Sequence, residues 1–324
     1  MPDTDAVSTR ALDPLSLRIV GALQVDGRAS WRKIAEALGE PVRTVARRGA
    51  ALLEDRTVQV VGLPNTDPTH IVRVRCRPGM VASVAERLAA RPETVFVYAV
   101  GQGPEVVVEV MLDYADLAPF VLEDLPTLDG VEEVRTASAL EYYRTVAEWS
   151  PGLLADQELR ALGGTNLAPT GHQPGLHLDA VDRALVDALV ADGRTPLQAV
   201  AALLDCSDAT ARRRIEQLTT RGVLRIRAVV EPALVGLPVE TLVWIRVHPS
   251  RAPELGRALV ASPLVRYCAF LAGDDQLLVD VTTADLDGLR TLLADHYWGA
   301  GADRVTATPL LRAYKRGGVL VPQD

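Results

Sequence analysis

The chain has 324 residues, 48% hydrophobic and 23% charged, too many for one ordinary core and enough for two to four domains of roughly 100 residues each. No apolar run nears the ~18 residues of a membrane span, and the short polar start from Met1 to Arg10 lacks a signal-peptide core, so a cytoplasmic protein with no membrane partner is expected. A net charge of −8, from 34 Lys+Arg against 42 Asp+Glu, excludes a general electrostatic pull toward nucleic acid, so any such contact has to be local.

In chain order, Leu15, Ile19 and Leu23 recur at helical spacing and predict a first helix that Asp26-Gly27-Arg28 ends. A helix of about two turns follows from Trp31 to Leu38. A third opens near Pro41, a residue favoured at the first helical position. Val58 to Leu63 reads as a β stretch. Beyond it the periodicity predicts strand 70–76, helix 80–90, strands 94–100 and 105–112, helix 114–124 and strand 131–143. Ser150 to Leu176 gathers Pro151, Gly163-Gly164, Pro169, Gly171 and Pro174-Gly175 and reads as a linker. A short helix from Leu153 to Leu162 is expected inside it, because Leu154, Leu159 and Leu162 share a face.

The order then repeats, which decides the architecture. Leu178-Asp179 answers Leu12-Asp13, and Asp192-Gly193-Arg194 answers Asp26-Gly27-Arg28, both 166 residues on. The register holds through Ala35/Ala201, Leu38/Leu204, Thr44/Thr210, Arg47/Arg213, Arg48/Arg214 and Leu52/Leu218. Leu185 and Leu189 mark the first helix of this second copy, Pro196 to Leu204 the second, and Ser207, a favoured N-cap, opens the third. After a β stretch from Leu224 to Glu231 come strand 240–248, helix 252–261, strands 264–271 and 276–282, helix 284–296 and strand 303–314. Each copy thus predicts a helix-turn-helix and then βαββαβ, a ferredoxin-like antiparallel sheet with two helices on one face.

The third helices carry the chemistry. With Ala211, Ile215 and Leu218 as the buried stripe, Arg213 faces outward; with Val45 and Leu52 buried, Arg43 and Arg47 do. A guanidinium fork suits guanine O6/N7 or phosphate, so Arg43, Arg47, Arg48, Arg212, Arg213 and Arg214 are candidate contacts to double-stranded DNA. Thr44 and Thr210, in the first turn of each helix, are candidates for backbone phosphates. Gly49 stands where the second copy has Ile215, which marks a weaker or a tightly packed first module.

The string Asp192-Gly193-Arg194, Ala201-x-x-Leu204, Ser207-x-x-Thr210-x-x-Arg213-Arg214-Ile215-x-x-Leu218-x-x-x-Gly222-Val223-Leu224 resembles the winged-helix domain of the Lrp/AsnC (feast/famine) family. The first copy is similar through Leu38-Gly39-x-Pro41-x-x-Thr44-Val45-x-Arg47-Arg48 but has Arg56 where the glycine falls. Gly273-Asp274-Asp275 followed by Leu277-Leu278-Val279-Asp280-Val281 resembles the family's hairpin beside its effector site. In the first copy Gly101-Gln102-Gly103-Pro104-Glu105 stands there, with one acid, a proline and an extra residue.

The resemblance implies an α+β chain of two tandem copies, each a winged helix-turn-helix followed by a ferredoxin-like sensor domain. Its divisions are 1–63, 64–148, a linker at 149–177, 178–231, 232–316 and a tail at 317–324. It further implies a transcription regulator modulated by an amino acid or related metabolite. Gly101, Glu105, Gly273, Asp274 and Asp275 are the effector candidates, because glycine admits close backbone approach and a carboxylate can hold an ammonium group. Family sensor sheets pair as dimers. Here both copies can pair within one chain, since a 27-residue linker spans up to roughly 90 Å, and further oligomers are possible.

No catalytic motif, cofactor site or metal-ligand spacing is expected: His70, His172, His177, His248 and His296 are scattered. Cys76, Cys206 and Cys268 are odd in number and form no CxxC, so they read as small apolar residues. Two alternatives stay open. Siroheme decarboxylases are similar to this family in fold and use His and Arg on a tetrapyrrole's carboxylates, which would make His70, His248 or His296 active-site residues. The other is a sensor or partner subunit that does not bind DNA.

Overall fold

A computed structural model of the chain describes residues 12–65, 68–164, 178–294 and 301–322. The expectations placed on His172, His177 and His296 and on most of the linker's glycines and prolines fall outside those residues.

The first unit opens with α1 (Pro14–Val25), α2 (Trp31–Leu38) and α3 (Val42–Glu54). Asp13 caps α1 and Ser30 caps α2, whose end is turned by Gly39 at φ 66°, a left-handed conformation that glycine takes at no steric cost. Pro41 sits one residue earlier than expected, as the N-cap of α3. Then come β1 (Gln59–Pro64), β2 (Thr69–Cys76), α4 (Val81–Ala89), β3 (Thr94–Val100) and β4 (Glu105–Met111). The helix expected over 114–124 is α5 (Tyr114–Pro119) running into a π turn at Phe120–Asp124 and α6 (Leu125–Thr127). Pro119 inside that run lacks the N–H of the i→i−4 ladder, which explains the break. β5 (Val131–Arg144) completes the unit, and the linker helix is α7 (Asp156–Ala161), shorter than expected.

The second unit repeats the plan with α8 (Ala180–Ala191), α9 (Leu197–Leu203), α10 (Asp208–Thr220), β6 (Leu224–Val229), a 3-10 turn at Pro232–Val235, β7 (Val239–Val247), α11 (Ala252–Leu259), β8 (Val265–Ala272), β9 (Leu277–Thr283), α12 (Leu286–Ala294) and β10 (Ala302–Arg316). A two-residue β11 (Val319–Leu320) follows.

The ferredoxin-like sheets run β3-β4-β2-β5 and β8-β9-β7-β10, and they join into one ring. β5 pairs with β2 through its first half, then from Ser138 to Arg144 it pairs with β8 of the other unit. β10 does the reverse, pairing with β7 and then, from Leu310 to Lys315, with β3. The second half of each unit's last strand therefore covers the open edge of the other unit's sheet, at β8 and β3. Ile71, Phe96 and Tyr98 from one unit meet Leu242, Trp244 and Tyr267 from the other in the enclosed core. Because helices cover the opposite faces, strands such as β4 are apolar nearly throughout rather than alternating.

The helix-turn-helix modules also pair. β1 and β6 form an antiparallel ladder from Gln59↔Val229 to Pro64↔Leu224. α7 packs on the first module only, where Leu153 and Leu154 join its core and Glu158 accepts from Arg18 at 2.9 Å. The same Arg18 reaches Glu40 at 2.9 Å, so the linker braces α1 against the turn between α2 and α3.

Candidate DNA-reading helices and effector cleft

The stripe Val45, Gly49 and Leu52 buries α3, and Ala211, Ile215 and Leu218 bury α10, as the helical spacing requires. Arg43 and Arg47 on α3, and Arg212 and Arg213 on α10, are exposed and have no hydrogen-bond partner among the described residues. Arg48 and Arg214 behave differently. Arg48 Nη1 meets Asp13 at 2.6 Å and Arg214 Nη1 meets Asp182 at 2.6 Å, so both tie the third helix to the start of the first and are withdrawn from the outer face. One step of 100° beyond Arg47 or Arg213 turns them toward the buried stripe. Thr44 and Thr210 are half-buried in the first turn, and Thr210 Oγ1 bonds the capping Ser207 at 3.0 Å.

Gly49 is a close-packing device. A Cβ there would stand 2.4 Å from a ring carbon of Trp31. Trp31 and Gly49 occupy the positions of Leu197 and Ile215, so a large and a small side chain replace two of middle size. Trp31 also carries the guanidinium of Arg194 4.7 Å above its ring.

That arginine belongs to a contact the sequence reading missed. Arg28 donates to the carbonyls of Gly193 at 2.7 Å and Thr195 at 2.9 Å. Arg194 donates to Gly27 at 2.7 Å and Ala29 at 3.3 Å. The Asp-Gly-Arg corners thus do more than end a helix; each reaches across to the other module. Burial lowers both guanidinium pKa values, and Arg28 adds its like charge at Arg194. An arginine repeated at the same place in both copies was the available signal.

The two hairpins of the sensor domains differ in state. At the first, Gly101 N–H donates to Pro309 O at 2.8 Å and Gln102 Nε2 to Ala307 O at 3.2 Å, which lays the turn onto β10. Glu105 accepts both Nε and Nη2 of Arg73 at 2.9 Å, and Arg73 lies 4.5 Å above the Trp244 ring. Gly101 and Glu105 are therefore already engaged. At the second hairpin a cavity of about 400 Å³ opens beside Gly273, Asp274 and Asp275. Arg304 crosses it to Asp275 at 3.1 Å, Asp274 is exposed, and Trp244 lines it with a buried indole N–H that has no partner. The opposite wall comes from the other unit and includes Arg73, Arg135 and Ala137. These arginines are remote in sequence, and only the strand exchange brings them to the hairpin.

Profile comparison covers most of the chain. The AsnC-type helix-turn-helix domain matches residues 12–53 and 178–219, and the Lrp/AsnC ligand binding domain matches 69–146 and 240–320. The chain belongs to the Lrp/AsnC family of helix-turn-helix transcription regulators. Among relatives, the HTH-type transcriptional regulator AldR of Mycolicibacterium smegmatis is 28% identical over 145 residues, 43% of this chain and 84% of that protein. An uncharacterised HTH-type transcriptional regulator of Pyrococcus abyssi is 25% identical over 148 residues, 45% of this chain and 94% of its own. Each relative is thus the length of one unit, and this Lrp/AsnC chain holds two.

A full-length match in architecture is the siroheme decarboxylase NirDL, with a TM-score of 0.60 over 94% of this chain and 93% of that one at 13% identity. At that identity the likeness concerns the fold. The described histidines of the Lrp/AsnC chain are structurally committed. His70 is buried, with Nδ1 3.0 Å from Ser138 Oγ and Nε2 3.1 Å from Leu112 O, and burial lowers its pKa. His248 caps a 3-10 turn through Ser250. Among the described residues no cluster of three His, Cys, Asp or Glu could hold a metal ion, and no helix is long and apolar enough to cross a membrane. The three cysteines are free, Cys76 and Cys268 buried and Cys206 half-buried.

Proposed function

We propose that this chain is a sequence-specific DNA-binding regulator whose single polypeptide supplies both reading modules, and that it responds to a metabolite of amino-acid type. The observation that carries the reading is the contrast on α3 and α10. Arg43, Arg47, Arg212 and Arg213 are exposed and unengaged, while the neighbouring Arg48 and Arg214 are held by carboxylates of the same module. Free guanidiniums on a third helix are what groove recognition requires. The modules present different sets, because Arg43 answers to Ala209 and Arg212 to Ala46, so the DNA site is asymmetric.

For the effector, the cleft at Gly273 to Asp275 offers Asp274 to an ammonium group, and to a carboxylate the Trp244 N–H, which has no partner among the described residues, together with Arg135, whose Nε also bonds Glu133 at 2.7 Å. The first hairpin, laid on β10 and with Glu105 held by Arg73, borders a smaller cavity of about 150 Å³ and is the weaker candidate. A non-enzymatic role agrees with the engagement of His70 and His248. A gel shift on the gene's own upstream DNA tests the proposal. Arg47→Ala and Arg213→Ala should each weaken binding by roughly 1 to 3 kcal/mol with unchanged circular dichroism. Unaltered binding in both variants refutes the assigned faces, and a siroheme absorbance change with carbon dioxide release would replace the regulator by an enzyme.

A further inference from the structure

Within the ring of strands the two units correspond at a separation of 171 residues, fixed by the matched pairing of β2 with β4 and of β7 with β9. The same register shift interrupts β3 and β8, at Val95 and Arg266. Glu109 and Asp280 are therefore equivalent, and both are buried. Their surroundings are not equivalent. Asp280 Oδ2 accepts from Arg266 Nη1 at 3.2 Å. Arg316, clasped by Glu240 at 2.6 Å and Glu231 at 2.9 Å, belongs to the same buried group. In the first unit the positions of Arg266 and Arg316 are held by Val95 and Thr145, and that of Glu240 by Thr69.

Glu109 is left without a counter-charge. Its Oε1 accepts the hydroxyls of Tyr142 at 2.6 Å and Tyr267 at 2.8 Å, and no described residue donates to Oε2. Where the two guanidiniums would stand there is instead a cavity of about 170 Å³, lined by Val95, Thr145, Thr69, Glu109 and both tyrosines; Glu93 and Arg225 also line it, the latter 3.6 Å from Glu148. A carboxyl enclosed without a cation is costly, and burial raises the pKa of Glu109 above the ordinary carboxylate range. An apolar cavity near 150 Å³ takes a benzene molecule, so this one admits a guanidinium on a short aliphatic chain.

We propose that the cavity beside Glu109 is a binding site for a small organic cation of the alkylguanidinium class, which supplies at Glu109 the charge that Arg266 supplies at Asp280. This site is separate from the hairpin cleft and does not rest on the effector reading. Gly62 and Leu63 of β1 and Val190 of α8 also line it, so its occupant touches both DNA-binding modules as well as the ring of strands.

Calorimetric titration of the full chain with n-propylguanidinium, and with its neutral isostere n-propylurea, tests the assignment. The cation should bind the wild type and the urea at least about tenfold more weakly. Glu109→Gln should weaken the cation by about tenfold or more and leave the urea unchanged. Val95→Arg rebuilds the arrangement at Arg266 from within and should abolish cation binding. Equal affinity for the two probes on the wild type overturns the proposal, as does no heat at ~10 mM cation, or an unweakened Glu109→Gln. The wild-type comparison decides the matter even where a variant fails to fold.

Discussion

Arg28 and Arg194 should set the spacing of the two reading helices, and Arg28→Ala is the perturbation that reads this most directly. The substitution removes two charge-assisted hydrogen bonds, to Gly193 O and Thr195 O, each costing about 1.5 to 3 kcal/mol when made by a charged donor. Three facts reduce that sum. The guanidinium is half-buried and desolvated in the native state, it repels Arg194, and the freed carbonyls lie at a part-exposed corner where water replaces the lost donor. A net loss of roughly 1 to 2 kcal/mol follows, with the β1–β6 ladder still holding the modules together. Arg194→Ala should cost somewhat more, because it also loses the Trp31 stack, worth about 0.5 to 2 kcal/mol. The double variant should exceed the sum of the two by their mutual repulsion, which each single variant relieves once. Urea denaturation measures the stabilities and a salt-dependent gel shift measures the consequence. Affinity should fall while the slope of log K against log salt stays constant, since no phosphate contact is lost. Unchanged stability in Arg28→Ala, or a shallower salt slope, refutes the argument; the second result would make Arg28 a DNA contact itself.

Three further outcomes are expected. Gly49→Ala gains about 1 kcal/mol of helix propensity but drives Cβ into Trp31, at a cost of about 1 to 3 kcal/mol; a net loss of stability with reduced DNA binding should appear in paired denaturation and gel-shift measurements, and a stabilised variant contradicts the packing account. Asp274→Ala and Asp275→Ala should weaken an amino-acid effector while Glu105→Ala does not, measured by calorimetry with each of the common amino acids; equal effects at both hairpins would remove the distinction between the larger and the smaller cleft. Glu109 has its carboxyl pKa raised above 4.5 by burial, so between 4.5 and the raised value the folded chain holds a proton the unfolded chain has released, and stability falls as pH rises through that window. Glu109→Gln keeps an acceptor for Tyr142 and Tyr267 and removes this loss, so the stability of the variant relative to wild type should increase with pH in denaturation curves and then level off; a difference independent of pH sinks the assignment.

Much of this architecture was legible because local signals agreed with one another. Start signals at Pro41 and Ser207, apolar stripes at helical spacing and strand periodicity placed most helices and strands to within one or two residues. The pairing of units was legible only in an indirect way. Strands 131–143 and 303–314 were read as far longer than their neighbours, and that excess length is the portion each spends on the other unit's sheet. Helical spacing gives the exposure of Arg43, Arg47 and Arg213, but not the engagement of Arg48 and Arg214, whose partners Asp13 and Asp182 cap or begin the first helix of each module and give no sign of a second task. Gly273 to Asp275 announce a turn with acids, whereas Arg73 and Arg135 sit in ordinary strands of the first unit and acquire meaning only once β5 crosses to β8.

Fusing the two units removes a constraint that a pair of identical chains cannot escape, where every substitution appears twice. Here the copies have diverged at positions that face each other. Trp31 with Gly49 stands against Leu197 with Ile215, Arg43 against Ala209, and a hairpin laid on β10 beside a cavity of about 150 Å³ against one beside a cavity of about 400 Å³. Inside the ring, Asp280 with Arg266 stands against Glu109 with Val95. The strand order keeps its pseudo-symmetry through these differences, while the side chains offered to a ligand differ between the copies. The linker contributes in the same sense, since α7 braces the first module through Arg18 and among the described residues has no counterpart on the second. The two modules are thus held by the same β1–β6 ladder but supported unequally.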